Sequence, residues 1–167
     1  MANAIKMLQD DHNSMRILFG QFHMIPAGQG EQAGTTAAQI ISTLKTHASL
    51  EEDLVYPLLA EDNKELADHA EDEHDEMKRL VKEIEKTEPG TDSGMSELLT
   101  QLQEVFTAHV EEEEDKVFPL LSEKLGVSQL EDLGRVMLSR QQELLQEHAS
   151  TTDAAQAGRP AITTPRI

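Results

Sequence analysis

Displaced by 62 residues, this chain matches itself, and that self-match limits its possible folds more than any other feature. The shift carries His12 to His74, Met15 to Met77, Leu18 to Leu80, His47 to His109 and Glu51 to Glu113. The densest window sets HASLEEDLVYPLLAE, from His47, beside HVEEEEDKVFPLLSE, from His109, with 9 of 15 positions identical and no gap. A self-match at this offset means that one supersecondary unit occurs twice.

The apolar spacing identifies the unit as a helical hairpin. Ile5, Leu8, His12, Met15, Phe19 and Phe22 advance by alternating threes and fours across residues 3–25, which lines one helical face. Pro26, Gly28 and Gly30 end that helix, and a second over about 31–61 carries Ala37, Ile40, Leu44, His47, Glu51, Leu54 and Leu58 on its stripe. Asp62 with Glu65 has the form of a capping box opening a third helix to about 87, with Ala67, Ala70, His74, Met77, Val81 and Ile84 inward. Residues 88–93 read as a linker. A fourth helix to about 125 then turns Leu98, Leu102, Val105, His109, Glu113 and Leu120 inward. Gly126 stops it, and Ser128 with Glu131 opens a shorter fifth helix bearing Leu130, Leu133, Met137, Leu144 and Leu145. The expected fold is all-α: an up-down-up-down four-helix bundle covered by an additional short C-terminal helix. Residues 1–148 form one domain, and residues 149–167, small, polar and without a period, a flexible tail.

Composition narrows the chemistry. With no cysteine there is no disulfide, thiolate metal ligand or thiol nucleophile. The formal net charge of −18, spread through the helices, repels phosphate backbones and anionic lipid surfaces, so neither nucleic acid nor membrane is expected as a partner. The N-terminus lacks a basic segment followed by an apolar one, and no apolar run approaches the roughly 20 residues that span a bilayer. A cytoplasmic protein is expected.

Each hairpin contributes one histidine from its first helix and an H-x-x-x-E pair from its second, all in slots where the periodicity calls for apolar side chains. In H-x-x-x-E the two groups stand four residues apart on one helical face, so both can reach one ion or two adjacent ions. Four imidazoles and two carboxylates left unpaired in a bundle core would cost several kcal/mol, or would shift to their neutral forms. A metal pair held by His12, His47, Glu51, His74, His109 and Glu113 removes that penalty, with Glu51 and Glu113 able to bridge. Imidazole and carboxylate suit iron, manganese or zinc, and facing helices of a bundle are a usual place for a di-iron or di-manganese centre.

Other polar residues are assigned no chemistry. Glu111, Glu112 and Glu114 have the look of a solvated face. His23, His69 and His148 lie outside the repeat. Tyr56 lies nine residues past His47, on the opposite face by ideal periodicity, and its repeat mate is Phe118, so it is read as packing. Pro57 and Pro119, late in their helices, are read as a shared kink.

The order His12, His47 with Glu51, His74, His109 with Glu113 resembles the hemerythrin-like HHE cation-binding domain over about residues 4–148. The resemblance implies an oxo- or hydroxo-bridged di-iron centre, with manganese or zinc ranked behind iron. It implies a small oxidant as ligand (dioxygen, hydrogen peroxide or nitric oxide), with peroxide decomposition of the catalase type as its enzymatic form. The alternative is an iron-responsive or iron-holding module that acts through a protein partner. Oxygen-carrying hemerythrins place a further histidine one turn before the position of His74, where this chain has Ala70. That departure disfavours reversible oxygen carriage and leaves a ligand position for solvent or for Glu71. Ferritin-like bundles would need two Glu-x-x-His motifs, and only Glu71 with His74 fits.

Overall fold

The computed structural model describes residues 3–87 and 94–157, with side chains as far as Glu147. Helix α1 spans Ala4–His23, and Asn3 caps it by accepting from the Lys6 amide. Helix α2 runs over Gly30–Leu54 and, past Val55, continues as the short α3, Tyr56–Ala60. Helix α4 spans Lys64–Glu85. Helix α5, Met95–Glu112, passes into a π-helical turn at Glu113–Val117 and then into α6, Phe118–Ala157. No strand occurs among the described residues, and none of their helices is long and apolar enough to cross a membrane.

The bundle is therefore the expected one: α1 pairs with α2, α4 with α5, and the far part of α6 packs over α1 and α2. Gly126 makes the bend in α6 with φ 64° and ψ 178°, a conformation open only to glycine. Helix α6 continues to Ala157, into the segment read as a tail. The expected linker at 88–93 and residues 158–167 lie outside the described residues.

Several boundaries and faces differ from the sequence reading. Asn63, not Asp62, caps α4, its side-chain oxygen accepting from the Leu66 amide at 3.1 Å. In α5 the buried stripe is Leu99, Leu102, Phe106, His109, so Leu98 and Val105 lie one position to the side, only partly buried. Beyond the π turn, which adds one residue to the helical register, Leu121 is buried while Leu120 is exposed. Leu144 faces inward and Leu145 outward.

The core is split along the bundle axis. One apolar cluster holds Met15, Phe19, Leu44, Met77, Leu102 and Phe106. The other holds Leu8, Leu50, Tyr56, Leu59, Leu121 and Met137. On α1 the residue between Leu8 and Met15 is His12. On α2, His47 and Glu51 lie at the same junction, and His74 does so on α4. A buried polar layer thus separates two apolar ones.

Candidate metal centre

All six residues singled out by the repeat converge in that layer, each no more than 1% exposed. Their inward atoms form two groups, His12, His47, Glu51 and Glu113 on one side and Glu51, His74 and His109 on the other. Glu51 Oε2 lies 3.1 Å from His47 Nε2 and 3.4 Å from His74 Nε2, while Glu113 Oε2 lies 3.3 Å from His12 Nε2 and 3.4 Å from His109 Nε2. Each carboxylate thus faces one histidine of its own helix and one of the other hairpin, which is the arrangement a bridging ligand needs. Glu71 is exposed and joins neither group.

Tyr56 does belong here, contrary to the reading from periodicity. Its hydroxyl donates to Glu113 Oε1 at 3.0 Å and lies 3.0 Å from His74 Nε2. Pro57 lacks the amide that would bond the Asp53 carbonyl, and the helix breaks at Val55, with φ −103° and ψ −53°. The break turns Tyr56 off the outer face that a continuous helix would have given it. In the second half, Pro119 cannot donate to the Asp115 carbonyl, and the π turn delivers Phe118 to the equivalent place. There its ring stacks on His12, with centroids 5.7 Å apart and planes 9° from parallel. Equal positions in the repeat thus carry a phenol against His74 and a bare phenyl against His12.

A second set of carboxylates, read as solvated or not singled out at all, supports the imidazoles from outside. Glu114 Oε1 lies 3.0 Å from His12 Nδ1, Glu52 Oε1 2.8 Å from His74 Nδ1, and Glu73 Oε2 2.8 Å from His109 Nδ1. Asp11 stands 3.7 Å from His47 Nδ1, an ion-pair distance too long for a direct hydrogen bond. The four form a closed ring in which α1 supports the histidine on α2, α2 that on α4, α4 that on α5, and the π turn that on α1. A carboxylate on Nδ1 fixes the tautomer with Nδ1 protonated, so the Nε2 lone pair points inward.

The charges respond to one another. Burial works against a charged His47, but the Glu51 carboxylate, with Asp11 behind, raises it to about 10. Burial works likewise against His74, yet Glu51 and Glu52 raise it to about 9. Burial pushes the Glu51 carboxyl up, and His47 and His74 together override this and hold it well below the usual carboxylate range. For Tyr56, burial and the charges of Glu51 and Glu113 push the phenol well above its ordinary value, so it keeps its proton here.

Comparison with known proteins bears on this geometry. The profile of the Hemerythrin HHE cation binding domain matches residues 3–121. This chain belongs to that family. A solved hemerythrin HHE cation binding domain-containing protein from Mycobacterium kansasii superimposes with a TM-score of 0.79 at 25% identity, covering 95% of this chain and 96% of that one. A curated relative, a DNA nickase from Nostoc, is 28% identical over 134 residues, which are 77% of this chain but 36% of the relative. The chain thus spans about a third of that relative's length.

The residues present fit the cation that the HHE name implies. Six buried side-chain atoms have no hydrogen-bond partner among the described residues: His12 Nε2, both ring nitrogens of His47, both oxygens of Glu51, and Glu113 Oε2. Each such atom costs about 1–3 kcal/mol when nothing replaces its water. All six lie on four residues that line the layer and form one of its candidate metal groups, so a cation among them satisfies the donor set directly. A further group, His69 with Glu73 and Glu112, lies at the surface, where Glu73 is already engaged by His109.

Proposed function

We propose that the polar layer holds two iron ions and that the protein turns over a small oxidant there, hydrogen peroxide foremost. The observation that carries this reading is the pair of ligand groups sharing Glu51: two matched nitrogen sets, two carboxylates placed between them, and a phenol oxygen beside them. One ion would engage His12 and His47, the other His74 and His109, with Glu51 and Glu113 between. Nitrogen and hard oxygen donors without thiolate suit iron, with manganese or zinc as lesser candidates. When bound, such a pair supplies a two-electron redox couple and Lewis acidity.

The chain's own residues set the conditions for that chemistry. The four outer carboxylates hold the imidazoles in one tautomer and orientation. The apolar clusters above and below exclude bulk water. Tyr56 carries a proton at the inner surface and directs it at Glu113 Oε1, so a proton is held at a fixed place within the layer. The phenol shares an apolar cluster with Ala70 and lies 3.0 Å from His74 Nε2, whereas Glu71 is exposed, which favours Tyr56 over Glu71 as the oxygen group on that side of the site.

The DNA nickase likeness covers a minority of that protein, and the −18 charge of this chain argues against contact with a phosphate backbone by the bundle itself. The deciding experiment is metal analysis of protein made in iron-replete cells, followed by peroxide-consumption assays before and after chelation. About two irons per chain and peroxide loss that disappears on chelation are expected. One zinc per chain, or full reversible oxygenation over repeated cycles with no peroxide consumed, would overturn the reading.

A further inference from the structure

The two halves share their ligands but differ outside them. Between α2 and α4 a cavity of about 310 Å3 reaches His74, walled by Leu44, Ala48, Met77 and Val81. The repeat assigns Phe106, Val110, Met15 and Phe19 to the equivalent positions between α5 and α1. There the Phe19 and Phe106 rings lie 5.7 Å apart, and Phe106 meets the His12 ring edge-on at 6.2 Å, so the groove beside His12 is filled. Three substitutions toward smaller side chains (Phe106 to Leu44, Val110 to Ala48, Phe19 to Val81) account for the opening on the His74 side.

The mouth of this cavity is cationic in a chain of net charge −18. Lys45, Lys78 and Lys82 line it against a single acidic residue, Glu85. Lys45 pairs with Glu85 at 2.5 Å, and Lys78 with Glu52 at 2.7 Å. Lys82 makes no ion pair among the described residues. At positions 16, 20 and 23, the repeat mates of Lys78, Lys82 and Glu85, stand Arg16, Gly20 and His23, so the free ammonium belongs to this side alone. The volume falls at the lower end of small-molecule sites, about 300–1,000 Å3, and the combination of an apolar body with few polar contacts is characteristic of them.

We propose that this cavity binds a small amphipathic carboxylate, its apolar body against Leu44, Ala48, Met77 and Val81 and its anionic end at Lys82. Charge ranks the occupants: a carboxylate adds an ion pair with the exposed Lys82 that a neutral apolar molecule does not make, and a small inorganic anion would leave the apolar walls uncovered. The cavity meets the polar layer at His74, but the walls and the ammonium that hold the carboxylate are none of the six layer residues.

Isothermal titration calorimetry of the purified full chain with octanoate and with 1-octanol tests this. One octanoate per chain is expected, with octanol about threefold to fivefold weaker because it lacks the charge that the exposed Lys82 meets. Val81→Phe and Ala48→Val, which restore the bulk found in the other half, should each weaken octanoate about tenfold, and Lys82→Glu about fivefold. Metal content and circular-dichroism melting should stay at wild-type values in Ala48→Val and Lys82→Glu, which decide the matter should Val81→Phe fail to fold. Absent binding, octanoate binding that survives these variants, or equal affinity for octanol would each overturn the proposal.

Discussion

At the scale of single residues, the six polar members of the buried layer were legible because each interrupts an apolar stripe. A histidine flanked at three and four residues by Leu8 and Met15 has no solvent to face, and the repeat supplies a second instance. His47→Ala or His109→Ala should therefore cut metal per chain and lower the melting temperature, whereas His23→Ala, whose ring lies at the surface against Gln103 and Phe22, should do neither. Equal losses at all three would break the assignment. The outer carboxylates were not legible, because Asp11, Glu52, Glu73 and Glu114 each stand one residue beside a ligand, where an acidic side chain reads as solvated. The partner of each is on the next helix, which helical periodicity does not see. Glu73→Gln or Glu52→Gln should weaken metal binding roughly 10–100-fold with the helix content unchanged, measured by competition with a chelator. Tyr56→Phe leaves Glu113 Oε1 without its donor, and urea denaturation of the metal-free protein should show a loss of about 1–3 kcal/mol.

At the scale of elements, helices and their order follow from spacing, but two local breaks do not. Periodicity assumes a constant 100° per residue, and Pro57 and Pro119 suspend that rule just where α2 gives way to α3 and α5 to α6. The sequence marks both prolines as kinks, yet a kink's direction depends on which carbonyl loses its donor and how the turn relaxes. One half responds with a break at Val55 and the other with a π turn. Tyr56 was misread for this reason, and so was Leu120 beyond the second break. The identical spacing of Tyr56 and Phe118 from their prolines was the available signal that both face the same environment. The bend at Gly126 is of a different kind, since a Cβ there would meet nothing within 4 Å and only the backbone conformation resists substitution. Gly126→Ala should thus cost about 1–3 kcal/mol by denaturant titration and leave metal content unchanged. A variant as stable as the wild type would show that the bend relaxes freely.

At the scale of the whole molecule, the architecture was the most legible feature, because a duplicated amphipathic hairpin has few ways to bury its stripes other than against its own copy. The asymmetry between copies was less so, since it depends on side-chain volume at positions outside the ligand pattern. Charge in the layer leads to a prediction with opposite signs for two states. In the metal-free chain, His47 and His74 are raised above their unfolded value to about 10 and about 9. Their contribution to stability is complete below about pH 6.5 and is lost as pH rises through the folded values. Metal binding needs neutral imidazole and strengthens over the same interval. Urea midpoints should fall from pH 6.5 to 9 without metal and hold or rise with it; parallel trends would show that these imidazoles are not charged in the metal-free state. The division of the core has a consequence for local opening. The two apolar clusters meet across a layer in which, without a cation, six buried polar atoms make no hydrogen bond. Amide hydrogen exchange in the metal-free protein should therefore show a band of low protection crossing α1, α2, α4 and α5 at the level of the histidines, with slower exchange on either side. The chain would then behave as two cooperative blocks hinged at their seam, and a cation bound in the layer would fuse them into one.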